Sequence, residues 1–165
     1  MVRYSVGNKV TYGLHGLCEI TEIREMDFSG KSESYYILTP ISETRSTVFV
    51  PCENELLVSK IRSVMTADEI ASLTRIIPDF PYIENASERK RKFTSALASG
   101  DRSEIVKLIK VIDEEKSRRL DIGKKISASD EVFLSEASKL LYEEFSYVLG
   151  LTREQVIPFI LGELN

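Results

Sequence analysis

A chain of 165 residues, 42% hydrophobic and 29% charged, has the make-up of one ordinary globular domain or two small ones, which excludes a disordered chain. No apolar run reaches the roughly 18 residues that span a bilayer, and the N-terminal Met-Val-Arg-Tyr-Ser-Val-Gly lacks an apolar signal segment. A cytosolic location, with Cys18 and Cys52 as reduced thiols, is therefore expected. The net charge of −4 conceals a basic middle: residues 84–125 hold 12 Lys and Arg against 8 Asp and Glu, whereas residues 126–165 hold 2 against 7. Such a chain can meet a polyanion on one side while its acidic part limits nonspecific adhesion.

From Ser5 to Pro51 the pattern is β. Val6-Gly7-Asn8-Lys9-Val10-Thr11-Tyr12 alternates toward a strand, and Gly13-Leu14-His15-Gly16 punctuates it. Leu17 to Arg24 predicts a half-buried strand with a bulge, and Asp27-Phe28-Ser29-Gly30 a turn. Tyr35-Tyr36-Ile37-Leu38 and Thr47-Val48-Phe49-Val50 are β-branched and aromatic, ended by Pro40 and Pro51. Four or five short strands in so few residues suggest a small, bent sheet or a barrel.

The period then changes to helical, with a boundary near residues 59–66. Thr66-Ala67-Asp68-Glu69 is a capping-box pattern that opens a short helix ending before Pro78. Four consecutive cations, Arg89 to Lys92, lie in a helix expected over residues 88–99, capped by Ser87 and closed by Gly100. Phe93, Ala96 and Leu97 share its inner face, Arg89 and Lys92 fall at the edge, and Lys90 and Arg91 point to water. Ahead of it, Tyr82 stands on a segment bracketed by Pro78 and Pro81.

Asp101 and Glu104 repeat the reciprocal cap spacing before Ile105, Leu108, Ile109 and Ile112, and Gly123 breaks that helix. Ser127 caps a longer one, with Phe133, Leu134, Ala137, Leu140, Leu141, Phe145 and Val148 inward and Gly150 at its end. A capping box at Thr152 and Gln155 precedes a last helix interrupted by Pro158. The fold class is α+β: a β domain over residues 1–62 and an all-α domain over residues 63–165.

A cationic helix preceded by an aromatic ring suits a nucleic-acid backbone with a nearby unstacked base. The plainer alternative is a solvated helix start beside a core tyrosine. His15, Cys18 and Cys52 are the only soft metal ligands and lack paired spacing, so no metal and no cofactor is expected. There is no Gly-rich phosphate loop, nucleophile elbow or His-Glu-x-x-His motif. The adjacent pairs Glu114-Glu115 and Glu143-Glu144 diverge around a helix and cannot face one substrate together. A catalytic function and a small-molecule substrate are not expected.

In their order, Val6 to Val10, Tyr12-Gly13-Leu14-His15-Gly16, Tyr35 to Leu38 and Val48-Phe49-Val50-Pro51 resemble the CarD family of bacterial transcription regulators. The front half is similar to the RNA-polymerase-interacting domain also found in transcription-repair coupling factors. The second half fits through Leu97-Ala98-Ser99-Gly100-Asp101 and the Gly123-Lys124-Lys125 turn. The resemblance implies a Tudor-like small β-barrel or bent sheet that docks on the β subunit of RNA polymerase. It also implies a compact helical domain that touches promoter DNA at the upstream edge of the melted bubble.

Members of that family place a tryptophan at this edge; this chain has none. Tyr82 is the nearest match counted from the basic helix, and an ungapped count from Ser99-Gly100-Asp101 ends near Ala86. Arginines that some members use against polymerase fall near Met26 and Phe49. The resemblance thus implies DNA contacts from Tyr82, Arg89, Lys90, Arg91, Lys124 and Lys125, and polymerase contacts from Met26, Thr47, Val48 and Phe49. The expected protein is a monomeric, non-enzymatic regulator held at the nucleoid through polymerase, without a membrane partner, that stabilises the open complex. The alternative is a polymerase-binding adaptor with no functional DNA contact.

Overall fold

The structure, a computed structural model, describes residues 3–164. The chain divides into two compact units, Met1–Val64 and Met65–Asn165.

In the first unit, strands β1 (Lys9–Tyr12), β2 (Leu17–Asp27), β3 (Ser32–Pro40), β4 (Val48–Pro51) and β5 (Ile61–Ser63) form one antiparallel sheet in the order β4-β3-β2-β1-β5. It is an open, bent sheet rather than a closed barrel, because β4 and β5 remain as its two edges. The helix α1 (Glu55–Val58) leads into β5.

Alternation sends Val10, Cys18, Ile20, Tyr36, Leu38 and Val50 to one buried cluster. The bulge lies between Ile20 and Glu22, where the register shifts by one residue, and Thr21 gives its hydroxyl to the Ile37 carbonyl at 3.2 Å. The β2–β3 turn uses Gly30 at φ 79°, a left-handed conformation that glycine adopts without strain; its N–H donates to Asp27 Oδ1 at 2.7 Å.

In the second unit the helices are α2 (Ala67–Leu73), α3 (Ala86–Ser99), α4 (Arg102–Asp121), α5 (Ala128–Leu149) and α6 (Val156–Ile160). Both halves of the Thr66–Glu69 capping box form. Asn85, not Ser87, caps α3: its side chain accepts from the Glu88 N–H at 3.0 Å, so the helix begins two residues earlier than expected. Asp101 caps α4, but the reciprocal bond is missing because the Asp101 N–H goes to Ser99 Oγ and Glu104 pairs with Lys107. Pro158 does not interrupt the last helix; it sits in the first turn of α6, where its missing N–H has no intrahelical acceptor to lose.

The helical core holds Ile70, Phe93, Leu97, Val106, Leu108, Ile109, Ile112, Leu134, Ala137, Leu141 and Phe145. Glu144 is buried and braces this unit, accepting the Met65 N–H at 2.7 Å and Arg102 at 3.0 and 3.2 Å. The adjacent acidic pairs do diverge: Glu115 and Glu144 are buried against arginines while Glu114 is exposed.

Candidate functional site

Two surfaces, one on each unit, gather the residues singled out above. On the β unit, β4 pairs only with β3, so its other side is an unpaired edge. The registers Met26↔Glu33, Arg24↔Tyr35, Glu22↔Ile37 and Ile37↔Phe49 put Met26, Tyr35 and Phe49 on one face of the sheet. Phe49 is 42% exposed and Phe28, just past β2, is 59% exposed. Their ring centroids lie 5.9 Å apart, and Phe28 meets Tyr35 edge-on at 5.2 Å.

Val48 turns instead toward the core cluster, and Thr47 is exposed just ahead of β4. Phe28 and Tyr35 were not among the predicted contacts, although Phe28 in a turn is an apolar residue in a polar setting. An exposed aromatic cluster beside an unpaired strand edge is chemistry for a protein partner.

On the helical unit the centre is Asp130, 1% exposed, in the first turn of α5. The Tyr82 hydroxyl donates to Asp130 Oδ2 at 2.5 Å, and Arg89 Nε donates to Oδ1 at 2.9 Å. Arg89 also gives Nη1 to the carbonyls of Ile83 and Glu84 at 2.9 and 3.1 Å, which fixes the segment that carries Tyr82. The Tyr82 ring has the Arg89 guanidinium 4.9 Å from its centroid and that of Arg119 at 5.6 Å. Burial and the hydrogen bond to Asp130 push the Tyr82 hydroxyl up to about 12.

Arg119 is itself held by Glu115 at 2.8 Å and by the Lys125 carbonyl at 3.3 Å. Glu115 also receives Arg118, and these hydrogen bonds, Arg118's first, lower its carboxyl to about 2. The network ties the Tyr82 segment to the start of α3, the end of α4 and the start of α5.

This corrects one expectation about the basic run. Arg89 is buried, 9% exposed, and its charge is committed to Asp130, so it is a strut under Tyr82 rather than a cation facing solvent. Arg89 lies four residues before Phe93 and seven before Ala96, so it shares the inner face of α3 with Phe93, Ala96 and Leu97. Lys90, Arg91, Lys124 and Lys125 are exposed. Lys90 lines an open cleft of about 300 Å³ with Ser87, Ser127, Ser129 and Asp130, so it stands beside the helix start that Lys124 and Lys125 lead into. Asp130, Arg119 and Glu115 carried no motif; a lone carboxylate three residues after a capping serine reads as ordinary helix chemistry.

Among the described residues no group of three or more His, Cys, Asp or Glu could hold a metal ion. His15 is exposed and stacked on Tyr12, and Cys18 and Cys52 are buried and outside any disulfide. No helix among the described residues is long and apolar enough to cross a membrane.

Residues 4–64 match the family model of the CarD-like/TRCF RID domain. The N-terminal unit of this chain is thus similar to the CarD-like/TRCF RID domain. RID domains of this family interact with the β subunit of RNA polymerase, and the match supports a transcription-related, polymerase-interacting role. The RID unit is therefore the one that bears the aromatic edge. Similarity extends over the helical unit as well. A Bacillus subtilis (strain 168) protein named "Putative transcription factor YdeB" is 25% identical over 161 residues, covering 94% of this chain and 99% of that protein.

Proposed function

We propose that the chain is a polymerase-bound transcription regulator, without a catalytic step, that contacts promoter DNA at the upstream edge of the bubble and stabilises the open complex. The observation that supports the DNA part is a set of exposed cations, Lys90 and Arg91 on α3 and Lys124 and Lys125 ahead of α5, on the unit that carries the braced Tyr82, in a chain of net charge −4. Lys124 and Lys125 lead into the start of α5, where the helix dipole adds positive potential. The exposed cations serve as phosphate contacts, which position the protein without reading sequence.

Tyr82, fixed by Asp130 and flanked by two guanidiniums, is the ring presented to an unpaired base. Because Arg89 and Asp130 already oppose one another, the ring needs little reordering on binding. Contacts made only to melted DNA favour the open state by their differential affinity and by nothing else. On the RID unit, Met26, Phe28, Tyr35 and Phe49 with the β4 edge at Thr47 and Val48 form the surface for the polymerase β subunit.

Titration of the full chain onto a forked promoter duplex at several salt concentrations tests the DNA contact. With about three cations neutralising phosphates, log K against log salt falls with a slope near −3. A slope near zero, or no binding at low salt, leaves a polymerase adaptor instead.

A further inference from the structure

On the helical unit, the segment that leaves α2, the second half of α4 and the end of α6 line an open groove of about 460 Å³. Its walls are held in place. Lys110, on α4, donates to the Thr74 carbonyl at 2.7 Å and to the Ile76 carbonyl at 2.6 Å, which ties the first wall to that helix. Pro78 fixes the backbone that follows. The end of α6 is closed by its own backbone, with the Gly162 N–H donating to the Phe159 carbonyl at 3.1 Å and the Glu163 N–H to that of Pro158 at 2.8 Å.

Ile77, Pro78 and Leu161 are the apolar lining. Ile76 packs on the helical core, but Ile77 is 84% exposed, more than any other large apolar side chain among the described residues. The charged lining is mostly acidic, from Asp113 and Glu114. Burial first, then the charge of Glu163, raises the Asp113 carboxyl above the ordinary range, with Lys116 opposing. Among the described residues that line the groove Lys110 alone is basic, and its bonds go to backbone carbonyls. Lys107 is engaged with Asp79 and Glu104, and Lys116 with Glu131. A half-buried carboxylate beside a like charge gains from a cation that a ligand brings, because the pairing offsets a desolvation cost the fold already carries.

Such a lining repels phosphate and complements a ligand that carries positive charge beside an aliphatic side chain. The chain's own basic helix does not supply that ligand, since α3 exposes no large apolar side chain. We infer that the groove docks a basic segment of a protein partner, whose aliphatic side chain packs on Ile77, Pro78 and Leu161 while a neighbouring Lys or Arg pairs with Asp113 and Glu114. Neither the basic surface of Lys90 and Arg91 nor the aromatic edge of the β unit shares a residue with it.

The probe is a short synthetic peptide with Leu along one helical face and Lys beside it, titrated with the full chain and followed by fluorescence anisotropy. Two control peptides replace every Lys by Glu, or every Leu by Ser. Wild type is expected to bind the first peptide and neither control. Ile77→Ser and Glu114→Lys are each expected to weaken that binding roughly tenfold, with melting temperatures unchanged because both side chains are exposed. No binding of the basic peptide, equal binding of either control, or wild-type affinity in either variant overturns the assignment. So does a wild-type dimer, seen by sedimentation, that Ile77→Ser dissolves, since the groove then joins two copies of this chain.

Discussion

Asp130 and Glu115 each hold two basic or phenolic partners, and each makes a prediction of its own. Glu115 is buried, and the guanidinium of Arg118, then that of Arg119, keeps its carboxyl at about 2 against an ordinary 4.5. A depressed folded value means that its stabilisation is fully present above pH 4.5 and is lost as pH falls toward about 2. Glu115→Gln should flatten the acid limb of the stability curve in that window and cost about 1–3 kcal/mol at neutral pH, since Arg118 is largely solvated. Urea unfolding at a series of pH values reads both effects; an unchanged acid limb would mean that the pair is only a surface contact. Tyr82 separates fold from function in the same way. Tyr82→Phe leaves Asp130 with one fewer donor and should cost about 1–3 kcal/mol of stability, yet the ring and open-complex stabilisation should survive. Tyr82→Ala should lose the ring as well, worth about 1–3 kcal/mol against an unpaired base. If both variants lose stability alike and neither changes promoter lifetime, Tyr82 is a strut and not a contact.

At the scale of elements, α3 carries the electrostatic prediction and β4 the docking one. Lys90→Ala/Arg91→Ala should make the salt slope shallower by nearly two, about 0.9 for each lost phosphate contact, and weaken all promoters alike. A solvated helix face predicts identical slopes and a change of only a few tenths of a kcal/mol in stability. Phe28→Ser/Phe49→Ser should reduce capture of core polymerase while leaving the melting temperature within a few degrees, because both rings lie outside the sheet's core cluster; an unaffected pull-down would move docking elsewhere. Elements governed by local rules were legible in the sequence: the Thr66 box, the Ser127 cap, the Ile105–Ile112 stripe and the Gly100 and Gly150 ends all depend on neighbours three or four residues away. The α3 start was not, because Asn85 and Ser87 are both capping residue types; Asn85 Oδ1 accepts the Glu88 N–H, which leaves Ser87 inside the first turn. Arg89's burial was hidden for a longer-range reason, since its partner Asp130 is 41 residues away. Phe28 meets Phe49 only once β3 lies between them, and whether a five-stranded sheet closes or stays open is set by strand curvature that no residue pattern encodes.

At the scale of the whole molecule, the proposed function gives polymerase binding to one unit and DNA contact to the other. Each has its own hydrophobic cluster, so a fragment of residues 1–64 should keep polymerase binding and residues 65–165 alone should not. Equal capture by the helical fragment would reverse the roles. An adaptor would behave identically in this assay, so the central claim, stabilisation of the open complex by the helical unit, needs promoter DNA. The direct measurement is the decay of preformed open complexes after challenge with a polyanionic competitor, with wild type or Lys90→Ala/Arg91→Ala/Lys124→Ala/Lys125→Ala present at concentrations that saturate polymerase. Wild type should lengthen the open-complex lifetime, and the four-site variant should leave it at the value for polymerase alone while still binding polymerase. Equal lifetimes with the two proteins would contradict the account.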